Sequence, residues 1–187
     1  MRIFTAIELS EEIKAELCRC TACALQHAVH GRPTPPERMH LTLAFLGEIP
    51  SEKPVITAME KAAGSAFSLS LDKTGRFRRQ GGDLLFAAVK ADNELFDLQK
   101  RLMTCLKEAG LSPDEKPFRP HITLARELVC KPLADGLFPH TMQVNHITCF
   151  SSVRKNGKLI YEKLADVPLF SKNCLLTDAS VVSISAV

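Results

Sequence analysis

His40-Leu41-Thr42-Leu43-Ala44 and His121-Ile122-Thr123-Leu124-Ala125 are two copies of one pattern, H-x-T-L-A. In an extended chain successive side chains point to opposite faces. Each copy therefore turns His and Thr to one side and an aliphatic pair, Leu41 with Leu43 or Ile122 with Leu124, to the other. Two strands are expected, each with a wet face and a dry face. With the wet faces opposed, two imidazoles and two hydroxyls converge on one small space.

The flanks of the two copies also match. Residues 2–9, with Ile3, Phe4, Ile7 and Leu9, read as a buried strand. Ser10 followed by Glu11 and Glu12 is a helix start, and Ile13, Leu17, Cys20 and Ala24 form an apolar stripe reaching to about His27. Residues 31–37 carry Pro33, Pro35 and Pro36 and read as a loop leading into the first H-x-T strand, which Gly47 closes. Ser51 caps a short helix with Val55, Met59 and Ala62 inward, stopped by Gly64. Alternation over 67–71 predicts a half-exposed strand, followed by a loop at Gly75-Arg76-Phe77-Arg78-Arg79.

The second half repeats that order. Residues 83–90 read as a strand, and Leu95, Leu98, Leu102, Cys105, Leu106 and Ala109 recur at helical spacing up to Gly110. A proline-containing loop over 112–120 again feeds an H-x-T strand. A short helix or turn over 131–138, a strand over 142–153 and a strand over 158–162 follow, with Asn156-Gly157 as a hairpin turn. Strand, helix, proline loop, H-x-T strand, short helix, strand thus occurs twice. The duplication predicts two lobes, 2–71 and 84–164, within one domain spanning 1–170 and enclosing a cleft, with terminal strands free to intertwine. Residues 171–187 form a tail without an assigned role. Histidines 40 and 121 lie too far apart for a solenoid repeat of about 20–50 residues.

Composition sets outer bounds. At 187 residues and 45% hydrophobic the chain can bury a core, so it is not a disordered chain. No long apolar run interrupts it, and Met1-Arg2-Ile3-Phe4 leads directly into a strand pattern, so a soluble cytoplasmic protein without a membrane span is expected. Seven scattered cysteines point to a reducing compartment rather than a disulfide framework. A net charge of +3 admits an anionic ligand without naming one.

The longer stretches Met39-His40-Leu41-Thr42-Leu43-Ala44-Phe45-Leu46-Gly47 and Phe118-Arg119-Pro120-His121-Ile122-Thr123-Leu124-Ala125-Arg126 resemble the two-histidine (2H) phosphoesterases. Within that group the chain is similar to the RNA 2',3'-cyclic phosphodiesterases, the LigT-like 2'-5' RNA ligase family. The resemblance spans residues 2–170. It implies an α+β fold of bilobal, pseudo-two-fold design, with two antiparallel sheets flanking a central cleft and helices outside. It also implies hydrolysis of RNA 2',3'-cyclic phosphate ends to a 2'-phosphate, with weak reversible 2'-5' ligation, by a monomer that uses neither metal nor cofactor.

Opening a cyclic phosphate takes a base for water, an acid for the departing ribose oxygen, and groups to hold the phosphoryl oxygens. Histidine suits both proton roles, since its ordinary pKa is about 6.5. The resemblance assigns His121 as base and His40 as acid, and the near-symmetry of the lobes leaves the roles exchangeable. Thr42 and Thr123 are placed to donate to phosphate, and the family position of Arg126 implies a third phosphate contact. Phe45 reads either as core or as a surface for a base. Arg76, Phe77, Arg78 and Arg79 read either as an RNA grip or as a solvated loop with a buried ring. Arg119 reads equally as a surface charge.

Two other patterns carry less. His146-Ile147-Thr148 is a third H-x-T, but it lacks the following Leu-Ala and reads as a structural or rim histidine. Cys20, Cys23, His27 and His30 suggest a metal set. On one helix they span about 15 Å, at ~1.5 Å per residue, and cannot meet one ion whose ligands lie within about 2.3 Å. The competing functions are a related phosphodiesterase acting on another cyclic or 2'-5' linked nucleotide, and an RNA-binding module without turnover.

Overall fold

In the computed structural model the described residues are 1–90, 93–130 and 140–170. The short helix expected over 131–138 and the tail 171–187 lie outside them. Among the described residues the chain forms strands β1 (Arg2–Glu8), β2 (Ala28–Pro33), β3 (His40–Glu48), β4 (Phe67–Phe77), β5 (Asp83–Val89), β6 (His121–Cys130), β7 (Thr141–Val144), β8 (His146–Lys155) and β9 (Lys158–Pro168). Three helices accompany them: α1 (Glu11–Gln26), α2 (Lys53–Ala62) and α3 (Asn93–Glu108). The fold is α+β.

The helices follow their patterns. Ser10 caps α1 by accepting from the Ile13 amide, and Glu11 and Glu12 sit in the first turn, where the helix dipole favours acids. Its buried stripe is Ile13, Leu17, Thr21 and Ala24; Thr21 replaces Cys20 in that row because its hydroxyl donates to the Leu17 carbonyl at 2.7 Å and so can be buried. Helix α3 buries Leu95, Leu98, Leu102 and Leu106, and α2, burying Val55, Ala58, Met59 and Ala62, packs against it. The cap of α2 differs from expectation: Glu52 occupies the cap position without a side-chain bond, and Ser51 accepts from the Lys53 amide at 3.3 Å.

The strands run in the order β7-β4-β5-β6-β3-β1-β8-β9, with β2 on β6, and every named pair is antiparallel. This corrects the expectation of two separate sheets. The H-x-T strands β3 and β6 are neighbours in one sheet, joined at the single Cα pair Leu41 and Ile122. Beyond that point β3 diverges, and β2 takes up the edge of β6 from Ala125 to Cys130. The proline-rich segment expected as a loop is thus partly a strand. Pro33 stands at its end, on an edge strand where a missing amide costs little.

The strand pairing also departs from lobes drawn as sequence blocks. The strand that closes the first repeat, β4, pairs with β5, and the strand that closes the second, β8, pairs with β1. Each repeat sends its last strand into the half-sheet of the other. β4 is also longer than expected. Thr74 to Phe77 pair with residues 84–87 of β5, so Gly75, Arg76 and Phe77 are strand residues and not a loop. The Asn156-Gly157 turn forms as read, with φ of 51° and 75°.

Candidate active site

The alternation in the two motifs holds. Leu41, Ile122 and Leu124 are 0% exposed and Leu43 2%, all in the main core, while His40, Thr42, His121 and Thr123 line a cleft of about 870 Å³. β3 and β6 are antiparallel neighbours at the Leu41 and Ile122 pair, and the polar residues that alternate with that pair border one and the same cleft.

The same backbone device fixes both histidines. His40 Nδ1 lies 2.8 Å from the carbonyl of Arg38, and His121 Nδ1 lies 2.6 Å from the carbonyl of Arg119. A carbonyl only accepts, so in each ring Nδ1 carries a proton and donates it. The Thr42 hydroxyl stands 3.0 Å from His40 Nε2 and donates to it.

The surroundings of the two rings differ. His40 is packed among aromatics: Phe4 at 5.0 Å, Tyr161 edge-on at 5.3 Å and Phe150 at 6.4 Å between ring centroids. Burial among these rings lowers its pKa to about 4, the Arg38 carbonyl opposes the shift, and the charges of His121 and Arg126 add to it. His121 meets Phe77 and Phe86 edge-on at 5.2 and 5.7 Å.

Cations dominate the wall. Among the described residues Arg32, Arg38, Arg79, Lys116, Arg119, Arg126 and Arg154 line the cleft against one carboxylate, Asp114, which Lys116 engages at 2.7 Å. The near-balanced charge of the whole chain conceals this local excess, which suits an anion. The Arg126 pKa is lowered by desolvation and then by Arg79, Arg32 and Arg38, although Tyr161 opposes this.

The other candidates separate. Phe45, 51% exposed, and Phe77 both line the cleft, and Phe77 stacks on Phe86 at 4.3 Å. Arg79 lines it too. Arg76 instead approaches Asp83 at 3.8 Å and the Cys130 carbonyl at 3.5 Å, and Arg78, exposed, is not among the lining residues. His146 lies outside the lining: its Nδ1 donates to Asn145 Oδ1 at 2.7 Å and its Nε2 is 3.6 Å from Glu8.

Arg32, Arg38, Arg154 and Tyr161 are cleft residues that the sequence reading passed over. One of them had a signal. Arg38-Met39-His40 and Arg119-Pro120-His121 extend the repeat to R-x-H-x-T-L-A, and in both copies the arginine supplies the carbonyl that fixes the histidine.

A family model described as the 2'-5' RNA ligase superfamily matches residues 9–156. The chain belongs to that superfamily. An Escherichia coli relative named RNA 2',3'-cyclic phosphodiesterase is 32% identical over 170 residues, which cover 87% of this chain and 93% of the relative. A Geobacillus stearothermophilus relative of the same name is 33% identical over 129 residues, covering 66% of this chain and only 41% of the relative's length. The crystal structure of E. coli LigT complexed with 3'-AMP superposes with a TM-score of 0.79 at 28% identity, covering 90% of this chain and 97% of that one. Superfamily membership thus rests on most of the chain, including both motifs. Among the described residues no helix is long and apolar enough to cross a membrane.

Proposed function

We propose that this superfamily member opens RNA 2',3'-cyclic phosphate ends to 2'-phosphates by acid and base catalysis at His40 and His121. The observation that carries the proposal is the pair of imidazoles, each held through Nδ1 by an arginine carbonyl, beside two threonines in one cation-lined cleft. The names of the relatives support the substrate.

One histidine takes a proton from water as the water oxygen bonds to phosphorus. The bond from phosphorus to the 3' oxygen breaks, and the other histidine returns a proton to that oxygen, leaving a 3'-hydroxyl and a 2'-phosphate. Thr42, Thr123 and Arg126 hold the phosphoryl oxygens, where charge builds. A 5'-hydroxyl in place of water makes a 2'-5' linkage by the same transfers, which accounts for ligation. Phe45 and Phe77 offer ring faces to a base. The domain spans 1–170 and acts as a monomer in the cytoplasm, with no metal or cofactor in the reaction.

The family resemblance makes His121 the base and His40 the acid. The lowered pKa of His40 favours the reverse, because in the ligand-free cleft its Nε2 is unprotonated and ready to accept. A substrate with a 3'-bridging sulfur decides the matter: its good leaving group rescues loss of the acid and not loss of the base. Rescue of His121→Ala identifies His121 as the acid, and rescue of His40→Ala restores the first assignment. The function itself is tested by 2'-phosphate release from a cyclic-ended oligonucleotide with chelator present. Loss of about 100-fold or more is expected in either variant, and full activity in either would overturn the proposal.

A further inference from the structure

We propose that Arg38, Arg79 and Arg32 form a second phosphate subsite beside Arg126, so that the preferred substrate carries a phosphate besides the reacting cyclic one. This rests on the functional reading above and specifies its substrate class. Arg32 and Arg126 are register partners on β2 and β6, Arg38 sits on the 3-10 turn Pro36–Arg38 entering β3, and Arg79 follows β4. All four side chains border the same cleft.

Their charges are poorly compensated. Glu127 holds Arg32 at 2.7 Å, but among the described residues no carboxylate lies within ion-pair distance of Arg38, Arg79 or Arg126. Like charges gathered at one wall repel, and an anionic ligand relieves that repulsion. A single cyclic phosphate carries one charge, which the threonines and Arg126 suffice to hold. The planar guanidinium fork suits two oxygens of a further phosphate.

The electrostatics agree on placement. The cations acting on His40 are His121 and Arg126, whereas those acting on Arg126 are Arg79, Arg32 and Arg38. Arg126 is thus coupled both to the reacting centre and to the other three arginines. The cleft volume of about 870 Å³ is near the top of the roughly 300–1,000 Å³ common for small-ligand sites, which leaves room beyond one nucleotide.

The test compares kcat/KM for adenosine 2',3'-cyclic phosphate, the same nucleotide bearing a 5'-phosphate, and a diadenosine dinucleotide with a cyclic end. The two-phosphate substrates are expected to be favoured by about tenfold. That ratio falls toward one in Arg38→Ala and Arg79→Ala, and survives in Arg78→Ala, which removes an equal charge outside the cleft lining. Arg38→Ala keeps the carbonyl that fixes His40, and a ratio is insensitive to the fraction of protein that is folded. A gain shared by the 5'-phosphorylated mononucleotide means that the subsite takes any second phosphate; a gain confined to the dinucleotide means that it takes the internal phosphodiester. Equal efficiency on all three substrates, or a preference that persists in both cleft variants, overturns the subsite. Failure of the wild type to open any of the three overturns the functional reading instead.

Discussion

His40 and His121 share a motif and a carbonyl clamp, and the aromatic rings packed around His40 make it hard to protonate. This has a consequence for stability. An unfolded chain protonates this histidine near pH 6.5, and the folded chain resists until about pH 4. Between those values the unfolded state binds more protons, so the contribution is full above pH 6.5 and is lost as the pH falls towards 4. Denaturant unfolding of wild type and His40→Gln at pH 7 and pH 4.5 should show the wild type losing on the order of 2 kcal/mol relative to the variant. An unchanged difference would mean that the aromatic packing does not exclude the charge. The hydroxyl of Thr42, bonded to Nε2 in the free cleft, is expected to turn to the phosphoryl oxygen when substrate binds. Thr42→Val should therefore lower kcat about 100-fold in steady-state assays, the usual loss for one donor to a developing oxyanion.

Two strand edges show where element-level reading succeeds and stops. β4 continues through Gly75, whose added Cβ would come within 2.4 Å of Phe86 Cζ. That ring lies under Phe77 and edge-on to His121. Gly75→Ala is expected to shift the ring, costing about 1–3 kcal/mol and lowering turnover by displacing His121; retained kcat together with lowered stability would separate the two effects. Gly82 has φ of 120°, and a Cβ there would meet the Glu127 backbone at 2.6 Å, so no side-chain rotation relieves it. The polar character of residues 72–79 suggests a loop, because propensity cannot show that β5 lies alongside to accept the ladder. Likewise β2, with Pro33 and mostly exposed residues, has no periodic signal. Its partner is β6, nearly a hundred positions away, and the vacancy on that edge exists only because β3 diverges.

At the scale of the molecule, the two halves of the sheet meet at Leu41 and Ile122. Both side chains are fully buried in the main core, on the face opposite His40 and His121. Leu41→Ala should cost about 2–5 kcal/mol in denaturant unfolding, and activity should fall further than the folded fraction accounts for, because β3 and β6 together carry both histidines. Activity tracking the folded fraction alone would show that the joint does not position the site.

By itself the sequence determined the helices, the two amphipathic strands and the recurrence in them of one motif, with its two histidines and two threonines. Period-2 and period-3.6 patterns and end caps act between residues close in the chain, and burial of one face enforces them. Only the tertiary structure decided that the motif strands lie side by side, that each repeat closes the other's half-sheet, and that Arg32, Arg38, Arg79, Arg154 and Tyr161 share the wall with Arg126. Those placements depend on which edges remain unpaired once the core has formed, and no local pattern carries that information.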